Sequence, residues 1–373
     1  MRILQLGKFF PIEGGVEKVM FDLLDGLSNK GISCDMLCAN ANVRQKLRVI
    51  QISNISKLIC TKTWLKKFAT MISPQMIFVL RNICKNYDII HIHHPDPMAA
   101  LSLFFSGYNG KVVLHWHSDI LKQKILLKIF LPLQTWLINR ADIIVGTTPV
   151  YIEKSPYLKD VLYKCTYLPI GINPIVDNEK ITQLLRKKFV DKKIIFSLGR
   201  LVEYKGYKYL IDAAKYLPKD YIILIGGSGP LKRELQAQID SANLQNKVIL
   251  LGRVTDEELP SYYKLCSLYC LPSIMKTEAY AIVQIEAMSC EKPVVATKIP
   301  DSGVPWVNED NVSGINVPIK DGKAIATAIE TLLSDKELYT RMSSGAKHRF
   351  NSLFLKDMMV DKCVKLYDKL IVY

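Results

Sequence analysis

Short apolar runs alternate with longer segments of helical periodicity along this chain. Arg2–Leu6, Ser33–Cys38, Ile89–His93, Lys111–Trp116 and Ile143–Gly146 are short and rich in β-forming residues. Between them, segments such as Val16–Asn29 and Pro97–Phe105 repeat apolar positions three and four apart, which predicts helices. The alternation resumes at Ile194–Leu198 and continues through Tyr221–Ile225, Val248–Leu251, Leu268–Leu271 and Pro293–Ala296. Strand–helix alternation of this kind predicts α/β structure with parallel sheets and crossover helices. Strands that are apolar almost throughout predict sheets covered on both faces.

The pattern breaks near the middle, at Leu168–Asp177 (LPIGINPIVD), where two prolines and a glycine interrupt it. A chain of 373 residues also exceeds what one core usually supports. The expectation is two doubly wound, Rossmann-like domains, residues 1–170 and 171–353, followed by a helical stretch over 354–373. Ligands of such sheets sit beyond the carboxyl ends of the strands, and two facing sheets make a cleft there.

Composition narrows the class. Nine cysteines show no CxxC pairs and no zinc-like spacing with histidine. Cys34, Cys38, Cys266 and Cys270 fall in apolar runs and read as small buried hydrophobes of a reduced, cytoplasmic chain. The first residues, MRILQLGKFF, lead straight into strand-like sequence without a signal-peptide pattern. The longest apolar stretch, Ile125–Ile138, is too short for a membrane span and is broken by Lys128, Pro132 and Gln134.

The formal net charge is +15 and is unevenly spread. Residues 1–170 hold 21 Lys and Arg against 11 Asp and Glu. Met36–Tyr87 holds nine basic residues and no acidic one. Within it Trp64, Leu65, Phe68, Met71 and Ile72 interleave with Lys62, Lys66 and Lys67 at near-helical spacing. Such a basic amphipathic face suits an anionic membrane surface; the alternative is an ordinary surface helix of a basic protein. No RNP, zinc-finger or KH-type motif points to nucleic acid. The first strand is not followed by GxGxxG, and no GxxxxGK[ST] is present, which argues against dehydrogenases and P-loop NTPases. A DxD triplet, a common metal–diphosphate anchor, is also absent from the sequence.

The most informative segment is Thr277–Pro293, TEAYAIVQIEAMSCEKP. Glu278 and Glu286 are separated by seven small or apolar residues. On one continuous helix they would lie ~12 Å apart along its axis, about the reach of a nucleotide-sugar from sugar ring to ribose. A helix N-terminus between them would suit a diphosphate. Two solvated glutamates on an amphipathic helix are the plainer reading. Arg200 and Lys205, in SLGRLVEYKG after a predicted strand, could stabilise charge on a departing diphosphate. The Gly226–Gly227–Ser228–Gly229 turn allows close backbone approach, to a ligand or within a tight strand–helix turn. Gly14 and Gly15 precede the first helix and could form a phosphate-approach loop.

Five of the six histidines lie between residues 91 and 117. His91, His93 and His94 occur in HIHHPDP, and His115 and His117 in LHWHSD, both at predicted strand ends. Zinc would need further ligands that the neighbouring sequence does not supply. His93, Asp96 and Asp119 are candidates for shaping an acceptor site, or for core and loop roles.

Taken in order, the GG loop, His117, GR-x4-KG, the glycine turn, E-x7-E, SGVPWV and Gly314–Pro318 resemble the retaining GT-B glycosyltransferases of family GT4, over most of the chain. The resemblance implies a GT-B fold with an interdomain cleft, whose last helix crosses back to the first domain. It implies nucleotide-sugar binding in the second domain: Arg200 and Lys205 on the diphosphate with the main chain of Ala279, Tyr280, Ala281 and Ile282, Glu286 on the ribose, and Glu278 on sugar hydroxyls. Arg253 and Val254 would hold the base through main chain, Gly227 would face the donor, and His117 would contact the donor sugar near the reacting carbon. It also implies no metal and no other cofactor, and retention by front-face attack without a dedicated base.

The subgroup it most resembles acts in O-antigen and exopolysaccharide assembly. That implies a GDP-sugar donor such as GDP-mannose, with UDP-sugars as runner-up. It further implies an undecaprenyl-diphosphate-linked acceptor and peripheral attachment to the inner face of the cytoplasmic membrane. Three departures stand out. Ala281 replaces a glycine, Glu291 replaces a turn glycine, and Ser302–Trp306 lacks the glutamate of the usual GGxxE loop. A GT-B nucleotide-sugar epimerase and a non-catalytic binding protein are the rival classes.

Overall fold

A computed structural model describes residues 1–67, 70–120 and 124–371. The chain packs as two compact units, Met1–Gly171 together with Lys356–Tyr373, and Ile172–Leu355.

The first unit is built on ten strands: β1 (Arg2–Phe10), β2 (Ser33–Asn40), β3 (Arg48–Ser53), β4 (Ser56–Thr61), β5 (Leu65–Lys67), β6 (Thr70–Ile72), β7 (Ile89–His94), β8 (Lys111–Trp116), β9 (Ile143–Gly146) and β10 (Cys165–Tyr167). Eight of them form one sheet in the order β10-β9-β8-β7-β1-β2-β4-β3, parallel except for the β3–β4 hairpin. β1, β2, β7 and β8 are buried along most of their length because helices cover both faces, as their unbroken apolar sequences require. The helix Gly15–Asn29 places Val19, Met20, Leu23, Leu24 and Leu27 in the core at three- and four-residue spacing. The helix Pro97–Ser106 opens on Asp96, whose carboxylate accepts from the N–H of Met98 at 3.0 Å and Ala99 at 3.1 Å.

The basic helix expected around Trp64–Ile72 is not formed. Leu65, Lys66 and Lys67 lie instead on β5 and Met71 and Ile72 on β6, two short antiparallel strands, with Lys62 and Trp64 preceding them. Neighbours there point to opposite sides, so Met71 is buried while Ile72 is exposed. Phe68 lies outside the described residues, and no helix among them is long and apolar enough to cross a membrane.

The second unit carries a six-stranded, all-parallel sheet in the order β13-β12-β11-β14-β15-β16. Its strands are β11 (Lys193–Leu198), β12 (Tyr221–Gly226), β13 (Val248–Gly252), β14 (Leu268–Leu271), β15 (Val294–Thr297) and β16 (Gly314–Val317). Ile195, Ile223, Ile225 and Leu268 from the sheet pack with Leu210, Ile211, Ile325 and Ile329 from the helices Tyr207–Ala213 and Gly322–Ser334. Complete burial of each such side chain contributes about 1.5–3 kcal/mol. All nine cysteines are free thiols, and Cys34, Cys38, Cys266 and Cys270 are buried.

Candidate active site

At the carboxyl ends of β11 and β12 two loops are pressed together. Gly199 N–H donates to the Gly226 carbonyl (3.0 Å), and Leu201 N–H to the Ser228 carbonyl (2.9 Å). Gly227 has φ +135°, and a Cβ there would lie 1.9 Å from the Gly199 carbonyl oxygen. Loop-on-loop packing therefore demands this glycine before any ligand is considered. Gly227 N–H donates to the Gly252 carbonyl at the end of β13 (2.6 Å), followed by exposed Arg253 and half-buried Val254.

Arg200 is exposed on the β11 loop, whereas Lys205 closes a 3-10 turn, Glu203–Lys205, and is buried. Its Nζ lies 2.6 Å from Glu278 Oε2. Ser273 Oγ donates to the same oxygen at 2.9 Å. Burial pushes the Lys205 ammonium down, but Glu278 and Tyr204 outweigh it and hold the group above its ordinary value. The Ser302–Trp306 segment supports this arrangement from behind. Ser302 Oγ donates to the Glu278 carbonyl at 2.5 Å, and Gly303 N–H to the Ala279 carbonyl at 3.0 Å. The segment thus fixes the main chain around Glu278 although its glutamate is missing.

Glu278 is not helical. The helix begins at Ile282 and runs to Ser289, so only Glu286 belongs to it, and the ~12 Å axial separation expected of one continuous helix does not apply. The reason is Ala281, whose left-handed conformation (φ +61°, ψ +79°) starts the helix with no side-chain cap. Glycine would adopt this conformation without Cβ crowding. Ala279 and Tyr280 lead into that N-terminus. Glu286, half-buried, accepts a 2.6 Å hydrogen bond from the buried Tyr263 hydroxyl.

In the first unit, Gly14 is the extended residue just before the helix starting at Gly15. A Cβ at Gly14 would lie 2.7 Å from Glu17 Oε2, so the buried Glu17 carboxyl crowds the expected phosphate-approach loop. Burial pushes that carboxyl up. Asp96 caps a helix and also accepts from Lys8 N–H. Asp119 accepts from Trp116 Nε1 (2.9 Å) and Ser155 Oγ (2.7 Å). Both aspartates are buried and hold local structure.

His91, His93, His115 and His117 form one buried stack on a single face of β7 and β8, while His94 faces the other way and stacks on Trp116. Ring centroids are 4.7 Å apart for His91–His93, 5.1 Å for His93–His117 and 3.9 Å for His115–His117. His93 Nδ1 lies 2.8 Å from His117 Nε2, and His93 Nε2 lies 2.7 Å from Gln5 Oε1. Burial keeps all of these imidazoles far below their ordinary value, and hence neutral. The ligating atoms of His91, His93 and His115 lie within 4.8 Å of one another. Their ring planes, however, differ by only 12–31°. Imidazole lone pairs lie in the ring plane, so stacked rings cannot converge on one metal ion.

Two family models cover most of the chain. Residues 13–152 match the one described as Glycosyltransferase Family 4, and residues 181–349 the one described as Glycosyl transferases group 1. This chain belongs to the GT4 glycosyltransferases. It is 29% identical over 377 residues to O-antigen chain mannosyltransferase C of Escherichia coli, covering 100% of this chain and 99% of that protein. It is 28% identical to D-rhamnosyltransferase WbpZ of Pseudomonas aeruginosa, covering 95% and 92%. It is 25% identical to the N-acetylgalactosamine-N,N'-diacetylbacillosaminyl-diphospho-undecaprenol 4-alpha-N-acetylgalactosaminyltransferase of Campylobacter jejuni, covering 90% and 91%. Among solved structures it superposes on sucrose-phosphate synthase from Thermosynechococcus elongatus with a TM-score of 0.79, at 20% identity and complete coverage of both chains. The fold is that of the GT-B glycosyltransferases.

Within this glycosyltransferase the structure brings Lys205 together with Glu278, and His93 with His117. Arg200, Arg253, Val254 and Glu286 lie in the same unit as Lys205, while Gly14, Gly15, Asp96 and Asp119 lie with the histidines. Sequence reasoning missed Ser273, Tyr263, Gln5 and Tyr367, which contact the candidate residues. Gln5 had a readable signal, since it is the lone amide in the apolar run RILQLG. Tyr263 had none, because an aromatic in an apolar helix reads as core.

Proposed function

We propose that this glycosyltransferase moves a hexosyl or deoxyhexosyl group, with retention, from a nucleotide-diphosphate donor to a lipid-diphosphate-linked glycan in surface polysaccharide synthesis. The donor we favour is a GDP-sugar such as GDP-mannose. One observation carries the donor half: Lys205 and Glu278 form a buried ion pair beyond the carboxyl ends of β11 and β14, where sheets of this kind bind ligands. Lys205 and the exposed Arg200 would neutralise the diphosphate, together with main-chain N–H groups leading into the helix at Ile282. Glu278 would accept from sugar hydroxyls, Glu286 from the ribose, and His117 would face the reacting sugar.

The acceptor hydroxyl would attack the anomeric carbon on the leaving-group face. The carbon–oxygen bond to the diphosphate breaks as the new glycosidic bond forms, and the acceptor proton passes to the departing phosphate oxygen. No step calls for a metal. Supporting the acceptor class are the activities for which the Escherichia coli and Campylobacter jejuni relatives are named. Supporting attachment at the inner, anionic membrane face are exposed Trp64, Leu65 and Ile72 beside Lys62 and Lys66.

The test is thermal unfolding with GDP, UDP and their sugars, followed by transfer to undecaprenyl-diphosphate glycans. A ligand at 100 times its Kd stabilises by about 2.7 kcal/mol. Stabilisation by GDP but not UDP, with sugar transfer, is expected. Stabilisation by UDP alone overturns the donor assignment. Nucleotide binding without transfer to any acceptor overturns the enzymatic one. For the membrane face, sedimentation with anionic vesicles should fall when Trp64 and Leu65 are changed to Ser; unchanged sedimentation removes that face.

A further inference from the structure

The histidine stack continues into a polar chain that no ligand-binding role accounts for. Gln5 sits on β1 next to His91 in register, on the same face as the imidazoles. Its Oε1 lies 2.7 Å from His93 Nε2. Its Nε2 lies 3.2 Å from the hydroxyl of Tyr367 and 3.8 Å from Cys34 Sγ. Tyr367 stands on the helix Lys356–Ile371, and its hydroxyl lies 2.5 Å from His91 Nδ1. All these groups are buried in the first unit.

An amide has an accepting end and a donating end, which gives the chain a direction. The Gln5 oxygen can only accept, so His93 carries its hydrogen on Nε2. A neutral imidazole has one N–H, so His93 Nδ1 is bare and accepts from His117 Nε2–H at 2.8 Å. His117 is thereby left with a bare Nδ1 to present to a ligand. In the other direction, the Tyr367 hydroxyl oxygen accepts from the Gln5 amide and lies 2.5 Å from His91 Nδ1. Reversing the amide would aim its NH2 at His93 and invert both ring tautomers. Two acceptors at its nitrogen, the Tyr367 hydroxyl and the Cys34 sulfur, hold the amide as it stands.

We propose that Gln5, held by Tyr367, is a positioning residue that fixes His117 as a hydrogen-bond acceptor, acting through His93. This rests on the reading of His117 as facing the donor sugar. It specifies what His117 recognises: a hydroxyl group that donates a hydrogen bond. A bare lone pair also favours positive charge gathering on the reacting sugar, whereas an N–H in the same place would oppose it. His117 cannot then act as an acid toward the leaving group.

The experiment is long-range proton–nitrogen NMR of the histidine rings in the full-length 15N-labelled protein at neutral pH, with His117 assigned from a His117→Ala spectrum. Wild type should show His117 and His93 protonated on Nε2 only. Gln5→Met should move His117 to a mixture of tautomers and lower kcat about tenfold, with the KM for the nucleotide-sugar nearly unchanged. Tyr367→Phe keeps Gln5 but frees its amide, and should give the same mixture if Gln5→Met does not fold. A wild-type His117 protonated on Nδ1 overturns the proposal, as does a single unchanged tautomer in either folded variant. Full turnover in His117→Ala would instead remove the sugar-facing reading while leaving the tautomer result intact.

Discussion

Lys205 and Glu278 are 73 residues apart in sequence, yet their charged atoms meet at 2.6 Å with each side chain only about a tenth exposed. Removing one partner leaves the other charge buried and uncompensated. Glu278→Ala should therefore lower unfolding stability by about 3–5 kcal/mol, whereas the Lys205→Ala/Glu278→Ala double variant should lose less than the sum of the single losses. Denaturant titration of the four proteins measures this coupling. Strict additivity would show that the pair contributes nothing as a pair. Each single change should also abolish turnover.

Ala281→Gly should stabilise the second unit by about 1 kcal/mol, because a left-handed alanine costs roughly 1–2 kcal/mol and glycine gives back part of that in unfolded-chain entropy. The thermal midpoint should rise. A fall would mean that the alanine methyl makes packing contacts worth more than its strain.

Tyr263→Phe removes the hydroxyl that holds Glu286. Hydrogen bonds to charged groups contribute about 1.5–3 kcal/mol. If Glu286 receives the ribose, the donor KM should rise about tenfold while kcat changes little, which is the signature of lost uniform binding. Equal loss in kcat would place Glu286 at the transition state instead.

The buried histidines make the first unit acid-sensitive. His91, His93, His94, His115 and His117 are held neutral by burial, His115 down to about 3, and all take up protons on unfolding. The unfolded state then binds more protons below about pH 6.5, so stability falls as pH falls from there toward the folded values. Each histidine contributes about 1.4 kcal/mol per pH unit in that range. The carboxyls of Glu17, Asp22 and Asp96, raised by burial, take up protons in the fold first and offset part of the loss at the acid end. Urea midpoints at pH 7.5, 6.5 and 5.5 should drop steeply over the last interval. A flat profile would mean that the histidines are already charged or solvated.

Ten strands could be read from the sequence because buried parallel strands carry runs of Ile, Val and Leu that nothing else in a helical background mimics. β3 and β4 were missed because Val49 and Ile50 of β3 sit among basic residues and the buried β4 is a six-residue run interrupted by Lys57; β5, β6, β10 and β16 were missed because each has only three or four residues. The paired strands β5 and β6 imitated a helix because Leu65, Met71 and Ile72 are spaced in sequence as a helical face would be. At the site, motif spacing located Arg200, Lys205, Glu278 and Glu286 in one unit. It placed a helix N-terminus between Glu278 and Glu286, where the helix indeed begins at Ile282, but it could not pair Lys205 with Glu278, nor reveal the left-handed Ala281 that starts the helix. Both depend on backbone conformation and on contacts between distant segments.

Gln5 and Tyr367 touch across 362 residues of chain. During synthesis the ribosome delivers β1, β7 and β8, then the whole of Ile172–Leu355, before Tyr367 emerges. Until then His91 has no hydroxyl beside it, and the Gln5 amide has only the Cys34 sulfur to orient it. A nascent chain released short of Lys356 would carry every residue of the second unit but lack the hydroxyl that meets both Gln5 and His91 in the first.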